Sequence, residues 1–420
     1  MTSSGSSRVG KIHKSNILRY FPDPTNAVMN SFDVIIVGGG PAGCATTLSL
    51  IRNAPQTSFV LVDNSDPTQF KIGESLPPRA NQVLFQLSPS VSERLSRDTA
   101  QGHHTRCAGN ASVWQSPVLQ ETFSIMSPYG AGWHLDRHAF DESLREHVRS
   151  FCADREAQDR LFVKGTFSSV KKNDDGTWAM TVTSEGMATQ VYSAKWIVDA
   201  SGRQASVSRK LGAKTIKVDG LLAFYMVFAT TNLDQDSRTL IEASKIGWWY
   251  SSRLPDQRRL VAFHTDDCDA AAKSARNKEA FLDMLHEDTK YISQSILVND
   301  YRSMIGTNAN NPRCTSAGTS FLVPFGSQEE RWCAVGDAAM AFDPLSSQGI
   351  ITALRGGSSV GVMLANQMVG RATQAGPEDM ESVAKVFEEV RVDYEKNKSY
   401  FYTQSMFCGA FWSRRTTQNS

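Results

Sequence analysis

The chain has 420 residues, 40% of them hydrophobic, and a formal net charge of +1. That length exceeds what one core usually organises and predicts two associated domains. The near-neutral balance argues against nucleic acid or an anionic membrane as a partner, because both favour clustered basic charge. The seven cysteines are scattered without a Cys-x-x-Cys pair, so no metal site is expected and the thiols read as reduced and cytoplasmic. Residues 1–30 are Ser-rich and basic and read as a loose tail, without the apolar centre of a signal peptide. No apolar stretch is long enough to span a bilayer.

The first ordered signal is Val34–Val37, an apolar strand that runs into Gly38, Gly40 and Gly43. These fit G-x-G-x-x-G, and the apolar stretch Cys44–Ile51 behind them is helix-compatible. The first glycine closes the turn, the second admits a pyrophosphate and the third lets helix and strand touch. A second apolar strand, Phe59–Val62, ends in Asp63, where an acid is expected to bond the adenosine ribose. Lys71–Arg79 is a constrained, proline-rich loop leading into a helix near Ala80–Leu87. His103 and His104 are chemically capable but point different ways. Arg137 precedes a helix whose Phe140, Leu144 and Val148 share one face; it is either a solvated charge or a cofactor contact.

Residues 160–192 read as a small antiparallel meander with a hairpin turn at Asp174-Asp175-Gly176. Trp196–Val198 then rejoins the first sheet. Leu221–Ala229, Gly247–Tyr250 and Arg259–His264 form a second, aromatic sheet, and 268–298 a polar helical cover. Trp248, Trp249 and Tyr250 are consecutive, so alternate side chains face opposite sides. This strand is the candidate substrate wall. Trp332–Val335 is a strand entering Gly336-Asp337, and a proline loop leads to a helix at Ile350. From Met380 an amphipathic helix begins, and the aromatic end, Tyr400 to Trp412, is expected to pack on the body.

Together, GGGPAG at 38–43, Asp63, GESLPP at 73–78, GWHLDR at 132–137, VDASGR at 198–203 and GDAAMAFDPLSSQGI at 336–350 resemble the FAD-dependent monooxygenases of the hydroxylase and flavin-halogenase superfamily. The resemblance implies an α/β fold. A Rossmann-like FAD-binding domain of the group A flavin monooxygenase type would be built from 31–210 and 315–375. A β-sheet substrate domain would follow at 211–314, with a C-terminal helical segment at 376–420. It also implies that Gly38, Gly40, Pro41, Ala42, Gly43, Asp63, Ser75, Arg137, Gly336, Asp337, Gly349 and Ile350 hold FAD. Trp248, Trp249, Tyr250, Pro344 and Ser347 would face substrate.

GWWYSSRLP at 247–255 looks like a degraded Trp-x-Trp-x-Ile-Pro halogenase signature. The lysine that halogenases place downstream of the GES loop has no counterpart here. Lys71 precedes the loop, and the next lysine is Lys164. The expected reaction is therefore hydroxylation of an electron-rich aromatic. The leading substrate is a tryptophan side chain in a precursor protein, because the chain is similar to the flavoproteins that mature tryptophylquinone cofactors. His134, His103 and His264 are the candidate bases. Only one dinucleotide motif is present, so electrons come from a transiently docked NAD(P)H or a partner reductase. The alternatives are a flavin-dependent reductase of a small apolar substrate, a halogenase, and an FAD-stabilised maturation chaperone.

Overall fold

The computed structural model describes residues 30–66, 69–153, 159–304, 311–370 and 376–416. The expected tail, up to residue 29, lies outside them. The first sheet is built on Asn30–Val37, whose Val34, Ile35 and Ile36 are fully buried. A run without polar alternation suits a parallel strand covered on both faces. It pairs in parallel with Phe59–Asp63 and with Gln190–Asp199. Arg160–Lys164 and Trp332–Ala334 extend the parallel sheet on either side. The expected meander is corrected at its start: Arg160–Lys164 belongs to the parallel sheet, and only Thr166–Lys172 and Trp178–Thr183 hang antiparallel from Gln190–Asp199.

Two helices cover this sheet in backbone contact, Pro41–Asn53 and Gly349–Val369. A Cβ on Gly357 would stand 2.4 Å from the Ala42 carbonyl oxygen, and one on Gly361 would stand 2.5 Å from that of Thr46. Only glycine permits so close an approach.

The second sheet runs through Leu221–Ala229, Arg258–Asp266, Gly247–Leu254 and Thr239–Ser244, antiparallel throughout. It then continues beyond the expected 211–314 range into Gly109–Val113 and Gln120–Phe123. Those two strands are short and polar, so nothing in their local pattern announces the pairing. One face packs under the helical cover, where Phe224, Trp249 and Phe263 meet Phe281, Leu285 and Ile292. Glu242 fastens that cover: its carboxylate accepts from the Lys290 and Ile292 backbone N–H groups, at 2.9 and 2.6 Å. An acid at a helix start satisfies free donors and suits the dipole.

The helix Met380–Thr403 buries Met380, Val383, Phe387 and Tyr394, as its spacing predicts. Of the aromatic end, Tyr402, Phe411 and Trp412 are buried, whereas Tyr400 and Phe401 remain exposed. No described helix is long and apolar enough to cross a membrane. None of the seven cysteines is paired.

The second sheet holds the buried ion pair Arg259–Asp234, besides the Arg415–Asp266 pair that fastens the C-terminal helix to it. Arg259 donates to Asp234 at 2.6 Å and both side chains are buried, while the Tyr301 hydroxyl also donates to Asp234, at 2.9 Å. Burial would raise the Asp234 carboxyl, but the Arg259 guanidinium outweighs it and holds it below the usual carboxylate range. The folded pKa is thus the lower one. The stability from this pair is full above about pH 4 and lost as pH falls through the depressed folded value. Asp234→Ala strands a buried guanidinium and should lower the unfolding free energy by about 3–5 kcal/mol in urea titrations. The double change Asp234→Leu/Arg259→Met should recover most of that loss.

Candidate active site

A cavity of about 870 Å³ lies between the two sheets, within the range of ligand pockets and near its upper end. On the first-sheet side its wall contains Gly38, Gly40, Pro41, Ala42 and Asp63. Arg137, Ser75, Asp337, Gly349 and Ile350 continue it. On the second-sheet side stand Trp248, Tyr250 and His264, with Pro344 and Ser347 from the loop before the second covering helix.

Both covering helices direct their N-termini into this wall. Neither start carries a side-chain cap, and neither has an acid in its first turn. Helix starts leave N–H groups unbonded and carry a positive dipole end, a ready site for phosphate or an electron-rich ring edge. A Cβ on Gly40 or Gly349 would meet no atom within 4 Å, so both face open space. Gly38 and Gly43 differ. A Cβ on Gly38 would stand 2.2 Å from the Ala200 oxygen, and one on Gly43 would stand 1.9 Å from the Gly38 oxygen. Gly43 and Gly336 are outside the cavity wall; their missing side chains allow close packing, Gly336 against the Ala42 methyl.

Asp63 accepts from the Gly39 N–H at 2.9 Å and is approached by Arg145 at 3.8 Å. Arg137 donates to the Gly73 carbonyl at 2.9 Å and to Asp141 at 3.1 Å. Lys71 reaches the same carboxylate at 2.8 Å. Burial would raise Asp141, yet Arg137 and then Lys71 hold it below the usual range. Arg203 donates to the Gly318 and Phe342 carbonyls, at 2.6 and 3.1 Å, and stands 3.5 Å from Asp337.

The histidines separate clearly. His134 is fully buried away from the cavity, with Nδ1 3.1 Å from the Arg253 carbonyl and Nε2 2.9 Å from the Thr239 hydroxyl. Burial pushes it down to about 3, so it stays neutral and holds three strands together. His103 is exposed and His104 buried, both outside the cavity wall. Only His264 of these four reaches it. The alternation of the aromatic strand sorts its neighbours likewise. Trp248 and Tyr250 face the cavity, while Trp249 turns to the opposite face, packs against Phe263 with centroids 4.6 Å apart and planes tilted by 31°, and donates to Asp288 at 3.1 Å. As a substrate contact Trp249 is therefore corrected to a core residue, and His134 and His103 are corrected from candidate bases.

Besides Asp141, two buried carboxylates in the wall were not singled out by sequence reasoning. Glu74, inside the GES motif, accepts from the Tyr250 hydroxyl and from Ser252 at 2.7 Å. Ser75 also bonds the Tyr250 hydroxyl, at 2.7 Å. Burial, and then the Glu74 charge, push the Tyr250 phenol well above its ordinary value. Asp343 accepts from the Leu345 N–H at 2.9 Å and from the Tyr402 hydroxyl at 2.7 Å. Burial pushes its carboxyl up. Both acids stand inside the FAD-type motifs, so position was the available signal; Tyr402 carried none.

The donor set fits FAD. Uncapped helix starts, side-chain-free gaps at Gly40 and Gly349, and an acid beyond the second strand are what a pyrophosphate, an isoalloxazine edge and a ribose require. A dinucleotide cradle opening onto a mainly antiparallel second sheet is the architecture of an FAD-dependent oxidoreductase. The chain belongs to the FAD binding domain family, whose model matches residues 31–388. LodB of Marinomonas mediterranea, described as an FAD-dependent oxidoreductase, is 26% identical over 389 residues, 92% of this chain and 97% of that one. Among solved structures, the myxobacterial chondrochloren halogenase CndH superposes with a TM-score of 0.75 at 20% identity, covering 93% of this chain and 87% of its own. The peptidyl tryptophan dihydroxylase QhpG gives 0.68 at 19% identity, covering 93% and 79%. These two likenesses show the shared fold.

The two glycine roles can be told apart. Gly40→Ala should leave the apoprotein's stability within about 1 kcal/mol while weakening FAD retention by about tenfold or more. Gly38→Ala should instead lower the melting temperature of the apoprotein itself, because φ is +111° there and the carbonyl is too near. Flavin absorbance after desalting and thermal melts would read the two effects.

Proposed function

We propose that the chain is a flavin-dependent monooxygenase that hydroxylates an electron-rich aromatic ring, with an indole side chain carried by a precursor protein as substrate. The observation that carries this reading is the two-sided cavity, a dinucleotide cradle facing the aromatic wall of Trp248, Tyr250 and His264. FAD, when bound and reduced, supplies the activation of oxygen for transfer to the ring. Gly38, Gly40, Pro41, Ala42 and Asp63 would hold its nucleotide half, and Ser75, Arg137, Asp337, Gly349 and Ile350 its flavin half. Gly43 and Gly336 support that cradle from behind by letting its backbone segments approach.

The remaining residues shape the substrate side. Tyr250 donates to Glu74 and is held by Ser75, so its ring is a fixed wall. Trp248 backs the wall from behind, its indole stacked on the His264 ring, and Pro344 and Ser347 border the space from the opposite loop. Aromatic walls with a few placed polar groups suit a flat aromatic ligand. QhpG is a dihydroxylase of peptidyl tryptophan, and likeness to it supports the precursor-protein reading. Reducing equivalents come from NAD(P)H or a partner reductase.

Likeness to CndH favours halogenation as the second reading. Lys71, the lysine of the cavity wall among the described residues, weighs against it, because its amine is engaged 2.8 Å from Asp141. The deciding experiment supplies reduced, FAD-loaded protein with isotopically labelled oxygen, bromide and a tryptophan-containing peptide. Labelled oxygen on the indole is the expected product. A brominated indole would overturn hydroxylation in favour of halogenation. Turnover without oxygen would indicate a reductase.

A further inference from the structure

The second sheet ends at Gln120–Phe123, and no strand among the described residues pairs with its far side. All four of its residues are exposed. Native edges are blunted by lysine, proline or a bulge. The edge strand Lys214–Lys217 carries two lysines. Gln120–Phe123 has none of these devices and pairs with Gly109–Val113 in unbroken register. Its one charge, Glu121, is engaged by Arg238. Apolar side chains flank it at both ends. Val118 before it is 67% exposed, and Ile125 and Met126 after it, in the turn Ser124–Met126, are 88% and 82% exposed. Exposed apolar side chains scattered singly are ordinary, but a cluster of them marks an interaction site.

The backbone decides how a partner strand is seated. Thr122 stands opposite Asn110, and the Ser124 N–H donates to the Ala108 carbonyl at 2.8 Å. Bonded and unbonded pairs alternate along an antiparallel ladder. Gln120 and Thr122 therefore turn their backbone groups inward, while Glu121 and Phe123 turn theirs to the free edge. A second copy related by a two-fold axis must exchange bonds through those outward groups. An axis at Glu121 sets two like charges face to face, which is unfavourable. An axis at Phe123 sets Glu121 against Ile125. An axis at Thr122 avoids both. Glu121 then exchanges bonds with Phe123 of the other copy, the two threonines face each other, and Val118 and Leu119 come beside the Ile125–Met126 turn. Leu119 lines a hollow of about 230 Å³ with Leu240, Tyr291 and Val298, so in this register an apolar side chain of each copy arrives at a hollow in the other.

We propose that the chain forms a two-fold dimer through Gln120–Phe123, joining the second sheets of two copies edge to edge. The apolar ends and the threonine centre complement themselves, as a contact between identical surfaces requires. Tyr129 and Phe123 are also exposed on this side of the chain. With Val118, Ile125 and Met126 they offer roughly 600 Å² of apolar surface, against the about 800 Å² that each partner of a stable interface buries. The strand backbone and its polar side chains cover the remainder. The dimer is independent of the flavin chemistry.

Sedimentation velocity of the full-length, FAD-loaded protein tests this. The expected species at micromolar concentration has twice the chain mass. Ile125→Asp/Met126→Asp should raise the dimer dissociation constant by about thirtyfold or more. Both side chains are in solvent in the single copy, so flavin content and circular dichroism should not change. Cysteine substitution reads the register. Thr122→Cys should form an intermolecular disulfide under mild oxidation, because facing residues at the axis are close enough to bridge. Gln120→Cys lies away from the axis and should cross-link no more than the unsubstituted protein, whose exposed Cys268, Cys314 and Cys408 set the background.

A single-chain mass at every concentration would overturn the proposal. So would a dimer untouched by Ile125→Asp/Met126→Asp, or cross-linking of Gln120→Cys as strong as that of Thr122→Cys. A single-chain species whose edge takes up a strand of a different protein would likewise overturn it and assign the edge to that partner.

Discussion

The close crossing of Pro41–Asn53 and Gly349–Val369 is the constraint on which the site depends. Gly357 and Gly361 bring one helix against the carbonyls of Ala42 and Thr46. Any side chain there would push the helices apart. Because they touch, two helix starts from distant parts of the chain open into one cavity. Each contributes unbonded N–H groups and a positive dipole end, and neither is neutralised by a nearby acid or cap. A negatively charged, electron-rich cofactor completes what the backbone leaves open.

Buried charge closes the structure around that cavity. Asp141 gathers Arg137 and Lys71, and Arg137 in turn holds the Gly73 carbonyl. Glu74 ties the same loop to the second sheet through Tyr250 and Ser252. Asp343 ties the loop before the second covering helix to the C-terminal helix through Tyr402. These carboxylates stand at the junctions between elements rather than inside one element. Losing a partner there leaves a buried charge or donor without compensation, which costs more than the bond itself contributes. The second-sheet side of the cavity is accordingly shaped by contacts that span the chain from residue 74 to residue 402.

Much of the first sheet was legible because its signals are local. An unbroken apolar run, glycines at set intervals and an acid at a set distance are all decided within Val34–Asp63. The alternation rule likewise showed that Trp248, Trp249 and Tyr250 could not share a face, although it could not say which face was which. Histidine chemistry was less legible. Residue type made His134, His103 and His264 equal candidates. Burial with both nitrogens bonded, exposure at the surface, and a place in the cavity wall are differences of environment alone.

What the amino-acid order determined by itself is the dinucleotide cradle, the α/β class, the second aromatic sheet and the terminal amphipathic helix. Each follows from periodicity or steric need over a few residues. What only the tertiary structure decided is the joining of Gly109–Val113 and Gln120–Phe123 to the second sheet, and the convergence of Glu74, Tyr250, His264 and Asp343 on one cavity. Those depend on strand pairings and helix contacts between residues far apart in the chain. No local pattern encodes them, because the free energy that selects them appears only when both partners are buried together.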